Sequence, residues 1–141
     1  MKTPWHLWLI GIVSLLWNAA GAFDYYMTQS QNAEYLGAFT TEQLAYFEGL
    51  PVWVVIAWAF GVWGALLGSL LLLIRSRHAV TMFGLSLAGM VVNIIYGFAL
   101  SGQSMTKLMG TGALIFSLVI VVVGLFLYVY AGAMRRKGVL S

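Results

Sequence analysis

Four uninterrupted apolar stretches constrain this chain more than any other feature of its 141 residues. They run approximately from Trp5 to Tyr26, Pro51 to Ile74, Ala79 to Leu100 and Gly110 to Ala133. A helix rising about 1.5 Å per residue needs about 20 residues to cross a hydrocarbon core. Lipid offers the backbone no hydrogen-bond partner, so a crossing segment has to be a helix or a strand of a closed barrel. Continuous apolar runs of this length exclude strands. The expected fold is all-α, a four-transmembrane-helix bundle forming a single integral membrane domain over residues 1–141.

Composition agrees. Hydrophobic residues make up 62% of the chain and charged ones 8%, against about 45 to 50% and about 25% in soluble domains. There is no cysteine, which removes disulfides, thiolate nucleophiles and thiolate metal sites together. The net charge of +3 does not point to nucleic acid, because the basic residues are few and sit at the ends of the apolar segments.

Those charges orient the chain. Lys2, Arg75, Arg77, Arg135, Arg136 and Lys137 lie at the start, in the second connection and at the end; Lys107 alone lies in the third connection. The positive-inside rule places the first three regions in the cytoplasm. Asp24, Glu34, Glu42 and Glu48, all the acidic residues, fall at or in the first connection, which thereby faces the periplasm or exterior. The expected topology is multi-pass with both termini inside, and the resemblance given below implies a bacterial inner (plasma) membrane. Lys2, an apolar core and Ala20-Gly21-Ala22 also fit a signal peptide with its cleavage site; the expectation taken here is a retained first span.

The first connection, residues 27–50, carries helix signals in its second half. Thr40 and Gln43 form a capping-box pattern, Phe39 and Leu44 a hydrophobic staple, and Glu42 favours the positive end of a helix. Gly49 and Pro51 supply a stop. A short helix over about residues 41–48 is expected, with an irregular polar loop before it and a cytoplasmic tail at 134–141.

Transmembrane helices associate by close backbone approach and occasional hydrogen bonds. Ala57, Gly61, Ala65 and Ser69 recur every four residues beside Gly64 and Gly68, which marks a packing face on the second span. Gly11, Ser14, Asn18, Gly21 and Tyr25 share one side of the first span; Ser86, Gly89, Asn93 and Gly97 share one side of the third. Asn18 and Asn93, each near mid-depth, are expected to hydrogen-bond across helices or to line a polar cavity. Trp17, Tyr25 and Tyr96 are further candidates for ligand or helix contact. Trp58 and Trp63 also sit deep in their span, where space-filling is the expected role.

Catalytic chemistry has little to work with. Asp24 lies about 28 Å from Trp5 at helical rise, at the outer boundary, and apart from His6 at the start of the first span no other Asp, Glu, Lys, Arg or His falls inside a span. Asp24 and Glu48 end and begin consecutive segments and are expected to form an acidic outer rim. His6 and His78 do not make a metal site. No phosphate loop, nucleophile elbow or HExxH pattern is present, so the expectation is a non-enzyme with no cofactor and no bound metal.

WNAAGAFDY together with FTTEQLAYFEGLPVWVVIAWAFGVWGALLGSLLLL resembles a group of small four-span inner-membrane proteins of proteobacteria. Most of that group carries no assigned function and some members are labelled sugar transporters. The resemblance covers Leu15 to Arg77 and is looser beyond. It implies the four-span fold and a transport-like role, with no active-site residue to carry over. The functional expectation is an oligomeric small-solute transporter or channel. The alternative is a non-catalytic scaffold subunit that binds lipid or another membrane protein, and a lipid- or quinone-handling enzyme acting through Asp24, Glu48 or a histidine is third.

Overall fold

A computed structural model describes residues 3–102 and 105–141, with only the backbone of residues 105 and 106. Lys2, used above to orient the chain, lies outside the described residues. The described residues are helical, and four of the helices are long and apolar enough to cross a membrane. These are α1 (Trp5–Gln29), α4 (Val52–Leu73), α5 (His78–Ile95) and α7 (Thr111–Arg136). The last turn of α5 widens into a π-helical segment, Tyr96–Leu100. Short helices α2 (Ala33–Leu36), α3 (Thr41–Glu48) and α6 (Met105–Met109) fill the two connections at the opposite end from the α4–α5 turn.

Each local feature has a visible cause. Pro51 precedes the first residue of α4, where its missing N–H is no loss. At α3 the Thr40 hydroxyl accepts from the Gln43 amide while the Gln43 side chain accepts from the Thr40 amide. The stretch read as an irregular loop forms one helical turn instead. Asn32 Oδ1 accepts from the Tyr35 amide at 3.0 Å, so an Asn N-cap starts α2 where hydropathy shows nothing. Helix α1 runs to Gln29 and α7 to Arg136, each three residues past its apolar stretch, because backbone hydrogen bonding continues where the hydrocarbon ends.

The closest packing is between α4 and α5. Gly61, Gly64 and Gly68 face Ser86, Met82 and Phe83, and Ser86 Oγ donates to the Gly61 carbonyl at 2.6 Å. The small-residue face of α4 thus finds its partner in the third span. Helix α1 packs on the adjacent side of α4, where Gly11 meets Leu73. Helix α7 packs on α5 through Gly84 against Tyr128 and Gly124 against Met90. Small residues admit these approaches, and in lipid close approach supplies most of the association.

The buried core is concentrated at one end. Leu7, Leu72, Phe83, Leu127, Met134 and Leu140 are all within 3% of full burial. The same end collects the N-terminal segment, the α4–α5 turn and the C-terminal residues. Arg75 donates a side-chain hydrogen bond to the Thr3 hydroxyl at 2.9 Å, and Arg77 and Ser141 pair through the backbone at 3.2 Å. The residues after α7 are therefore tucked into the bundle and do not form a free tail. At the rim of this core the Tyr130 hydroxyl and His6 Nδ1 share a hydrogen bond at 2.5 Å, which ties α1 to α7.

Candidate functional site

Away from that core the four spans diverge and leave a cavity of about 630 Å³. Its back wall is α4 and α5, through Gly61, Ala65, Met90, Asn93 and Gly97. Its flanks are α1, with Trp17, Asn18, Gly21 and Asp24, and α7, with Ala113, Phe116, Ser117 and Ile120. Tyr46, Phe47 and Leu50 close it from the connection side, with Met109 beside them. Few close backbone approaches join α1 and α7; along this half Trp17 and Phe116 meet as a tilted ring pair with centroids 5.8 Å apart. Both rings remain part-exposed, Trp17 by 37% and Phe116 by 55%. The cavity is thus a cleft that opens sideways between the first and last spans.

Polar groups in the cleft are few. Asn18 is 8% exposed, and its Nδ2 donates to the Ala65 carbonyl at 3.1 Å and to Ser69 Oγ at 2.8 Å. A carbonyl only accepts, which fixes the orientation of the amide. Ser69 Oγ passes its own proton to the same Ala65 carbonyl at 3.0 Å. Asn18 therefore makes the interhelical bond foreseen for it and still lines the cleft, with Oδ1 accepting from no described residue.

Asn93 makes no bond across helices among the described residues and meets the other expectation, lining the cleft. Its Nδ2 donates to the Gly89 carbonyl at 3.0 Å, inside its own helix, because the space it would have bridged is the cleft. Its Oδ1 is likewise unclaimed among the described residues.

Asp24 and Glu48 line different pockets. Asp24 lines the cleft and accepts a hydrogen bond from the Tyr35 hydroxyl of α2. Glu48 is exposed and lines a smaller outer pocket of about 240 Å³ with Thr28 and Leu44. The reason is the straight continuation of α1 to Gln29, which leaves Asp24 a turn and a half inside the helix end. Tyr25 and Tyr96 also lie outside the cleft lining. Tyr25 packs edge-on to Trp58 at 4.8 Å and Trp63 at 6.1 Å, and Tyr96 meets Trp53 at 5.7 Å and Tyr46 at 6.3 Å. These rings brace the cleft from behind. Trp58, read as space-filling, lines it. Phe98 of the π-helical segment and Phe116 and Ser117 of α7 also line it and were not singled out.

The closing elements are held by aromatic contacts and one connection-to-connection bond. Phe47 lies 6.0 Å from Trp58 and 5.7 Å from Phe39, and Gln43 Nε2 donates to the Leu108 carbonyl at 3.0 Å. Burial raises the Tyr46 phenol above its ordinary pKa, with a smaller contribution from Tyr96, so Tyr46 presents a neutral hydroxyl. Tyr35 is pushed up from 10.0 to about 12, first by burial and then by the hydrogen bond to Asp24 and its charge. A raised folded-state value stabilises the fold fully below about pH 10, and the contribution disappears as pH rises through about 12. An alkaline titration followed by tyrosinate absorbance should contain a component near pH 12 that is absent in Tyr35→Phe; superimposable curves would show that Tyr35 does not hold Asp24.

Among the described residues no group of His, Asp and Glu is disposed to hold a metal ion. Comparison with family models, with curated proteins and with solved structures finds no match to the chain.

Proposed function

We propose that the protein is a multi-pass inner-membrane protein with both termini in the cytoplasm, and that it binds and carries a small hydrophobic or amphipathic solute in the cleft between α1 and α7. The observation that carries this reading is an aromatic-lined cavity of about 630 Å³, open to the side, with its polar atoms confined to Asn18, Asn93, Asp24 and a few hydroxyl and indole groups. Ligand sites combine a mostly apolar lining with a small number of placed polar groups. The core around Leu7, Phe83 and Leu140 stops the cleft at one end, which favours a carrier over an open channel. Basic residues in the α4–α5 turn and at the end of α7 support the cytoplasmic assignment of the packed end. The chamber forms within a single chain; the apolar outer face of α7, with Leu118, Val122 and Val129 more than half exposed, is left to lipid or to a second copy.

The test uses Gly21, which lines the cleft and has nothing within 4 Å of where a Cβ would sit. Gly21→Trp fills the chamber and leaves the packing faces alone. The uncharged fluorescent probe N-phenylnaphthylamine should bind the purified protein saturably, with affinity about tenfold weaker in Gly21→Trp at an unchanged melting temperature. Equal binding by both proteins would remove the cleft as the site.

A further inference from the structure

The charge inventory of the cleft narrows the solute further, on the premise that the cleft is the binding site. Its lining holds one ionisable acid, Asp24, and no Lys, Arg or His. Two amide oxygens, Asn18 Oδ1 and Asn93 Oδ1, are turned away from their own hydrogen bonds and accept from no described residue. Neutral donors are present in Trp17, Trp58 and Tyr46, but none of them carries charge.

Beyond these groups and the Ser117 hydroxyl the lining is aromatic and aliphatic. Trp17, Trp58, Phe47, Phe98 and Phe116 all line the cavity. Such rings attract a cation within about 6 Å through their quadrupole, the more so where water is excluded. They offer nothing comparable to an anion. A carboxylate at the depth of Asp24, partnered among the described residues by the neutral Tyr35 hydroxyl alone, has no cation of its own beside it. At the outer boundary of the span, that carboxylate stands at the connection end of a mostly apolar cleft.

We infer that the cleft takes lipophilic organic cations: a protonated or quaternary amine carried on an apolar body, with its charge toward Asp24 and its body among the rings. A quaternary ammonium needs no hydrogen-bond donor from the protein, only acceptor oxygens and aromatic faces, which is what the wall supplies. The cleft is wide enough at about 630 Å³ for a body of one or two aromatic rings.

The experiment compares 4-phenylbutyl-trimethylammonium with its uncharged tert-butyl isostere, by displacement of N-phenylnaphthylamine from the full chain in nanodiscs. The cation should compete about tenfold more tightly than the isostere. In Asp24→Asn that preference should fall to about twofold or less, with the affinity for the isostere retained, which reports that the chamber is intact. Glu48→Gln, whose side chain faces the other pocket, should keep the full preference.

Equal affinity for cation and isostere in the native protein would overturn the charge assignment and leave the solute site standing. A preference lost equally in Glu48→Gln would place its origin in surface charge and overturn it as well. Loss of both ligands in Asp24→Asn would make Asp24 structural and overturn it again. If neither compound displaces the probe and Gly21→Trp binds the probe normally, the cleft itself fails as a binding site.

Discussion

Gly89→Val is expected to cost the bundle about 3 kcal/mol and to remove most of its folded population in a mildly denaturing mixed micelle. A Cβ at Gly89 would overlap the Ala57 carbonyl oxygen and lie 2.8 Å from the Gly61 amide nitrogen. Both are backbone atoms of α4, so no rotamer change relieves the clash. The two helices would have to separate, and with them the Ser86 to Gly61 hydrogen bond. Gly68 is crowded at 2.7 Å by the Phe83 ring and Gly11 at 2.5 Å by the Leu73 side chain; these neighbours are side chains and not backbone, so their substitutions should be milder. Gly21→Val, in open space, serves as the control. The measurement is the unfolding midpoint in increasing dodecyl sulfate; a Gly89→Val midpoint equal to that of Gly21→Val would mean that the α4–α5 contact is not as tight as described.

Leu140→Ala should destabilise by about 2 to 3 kcal/mol, as expected for a large-to-small change at a buried site. Leu140 is 3% exposed and Val139 7%, both in the cluster with Leu72 and Phe83. Their seat is fixed by a backbone exchange: the Ser141 amide donates to the Arg75 carbonyl at 3.0 Å and the Arg77 amide to the Ser141 carbonyl at 3.2 Å. Arg75 adopts a left-handed backbone at φ 59°, a conformation that costs a non-glycine residue about 1 kcal/mol. The pairing on either side of it offsets that strain. Arg136→Ala, on an exposed neighbour, should change stability by less than about 0.5 kcal/mol. Proteolysis adds a second reading, since the segment after α7 should resist cleavage in the native protein and yield in Leu140→Ala. Equal resistance in both would detach the segment from the core.

The spans were legible because hydropathy reports what lipid demands, and lipid demands it along nearly the whole chain. The second span also announced its packing face, since glycine and alanine at fixed spacing have one physical use in a membrane. Asn18 was legible for a similar reason: a buried amide needs partners, and Ser69 lay on the face opposite.

Which of its two expected roles Asn93 takes was not legible, because the same residue type on the same kind of face satisfies itself on its own helix when the neighbouring helix stands off. Spacing reveals which side a residue occupies and not how far away the next helix is. The separate pockets of Asp24 and Glu48 were hidden on the same ground. Both lie at segment ends in sequence, but α1 continues past Asp24 by hydrogen bonding that hydropathy does not register. The inward role of Val139 and Leu140 was hidden by the basic triplet before them, which reads as the start of a solvated tail.

The unsealed seam between α1 and α7 gives the bundle a sidedness that its hydropathy lacks. The gap occupies only the half of the span nearer α2 and α3, while His6 and Tyr130 hold the other half shut. A lipophilic molecule dissolved in the bilayer would meet an opening from one leaflet and a closed wall from the other. In the proposed orientation, with the basic end in the cytoplasm, the accessible leaflet would be the outer one. Molecules that partition there would be sampled directly, and those in the inner leaflet would have to flip before the protein encountered them.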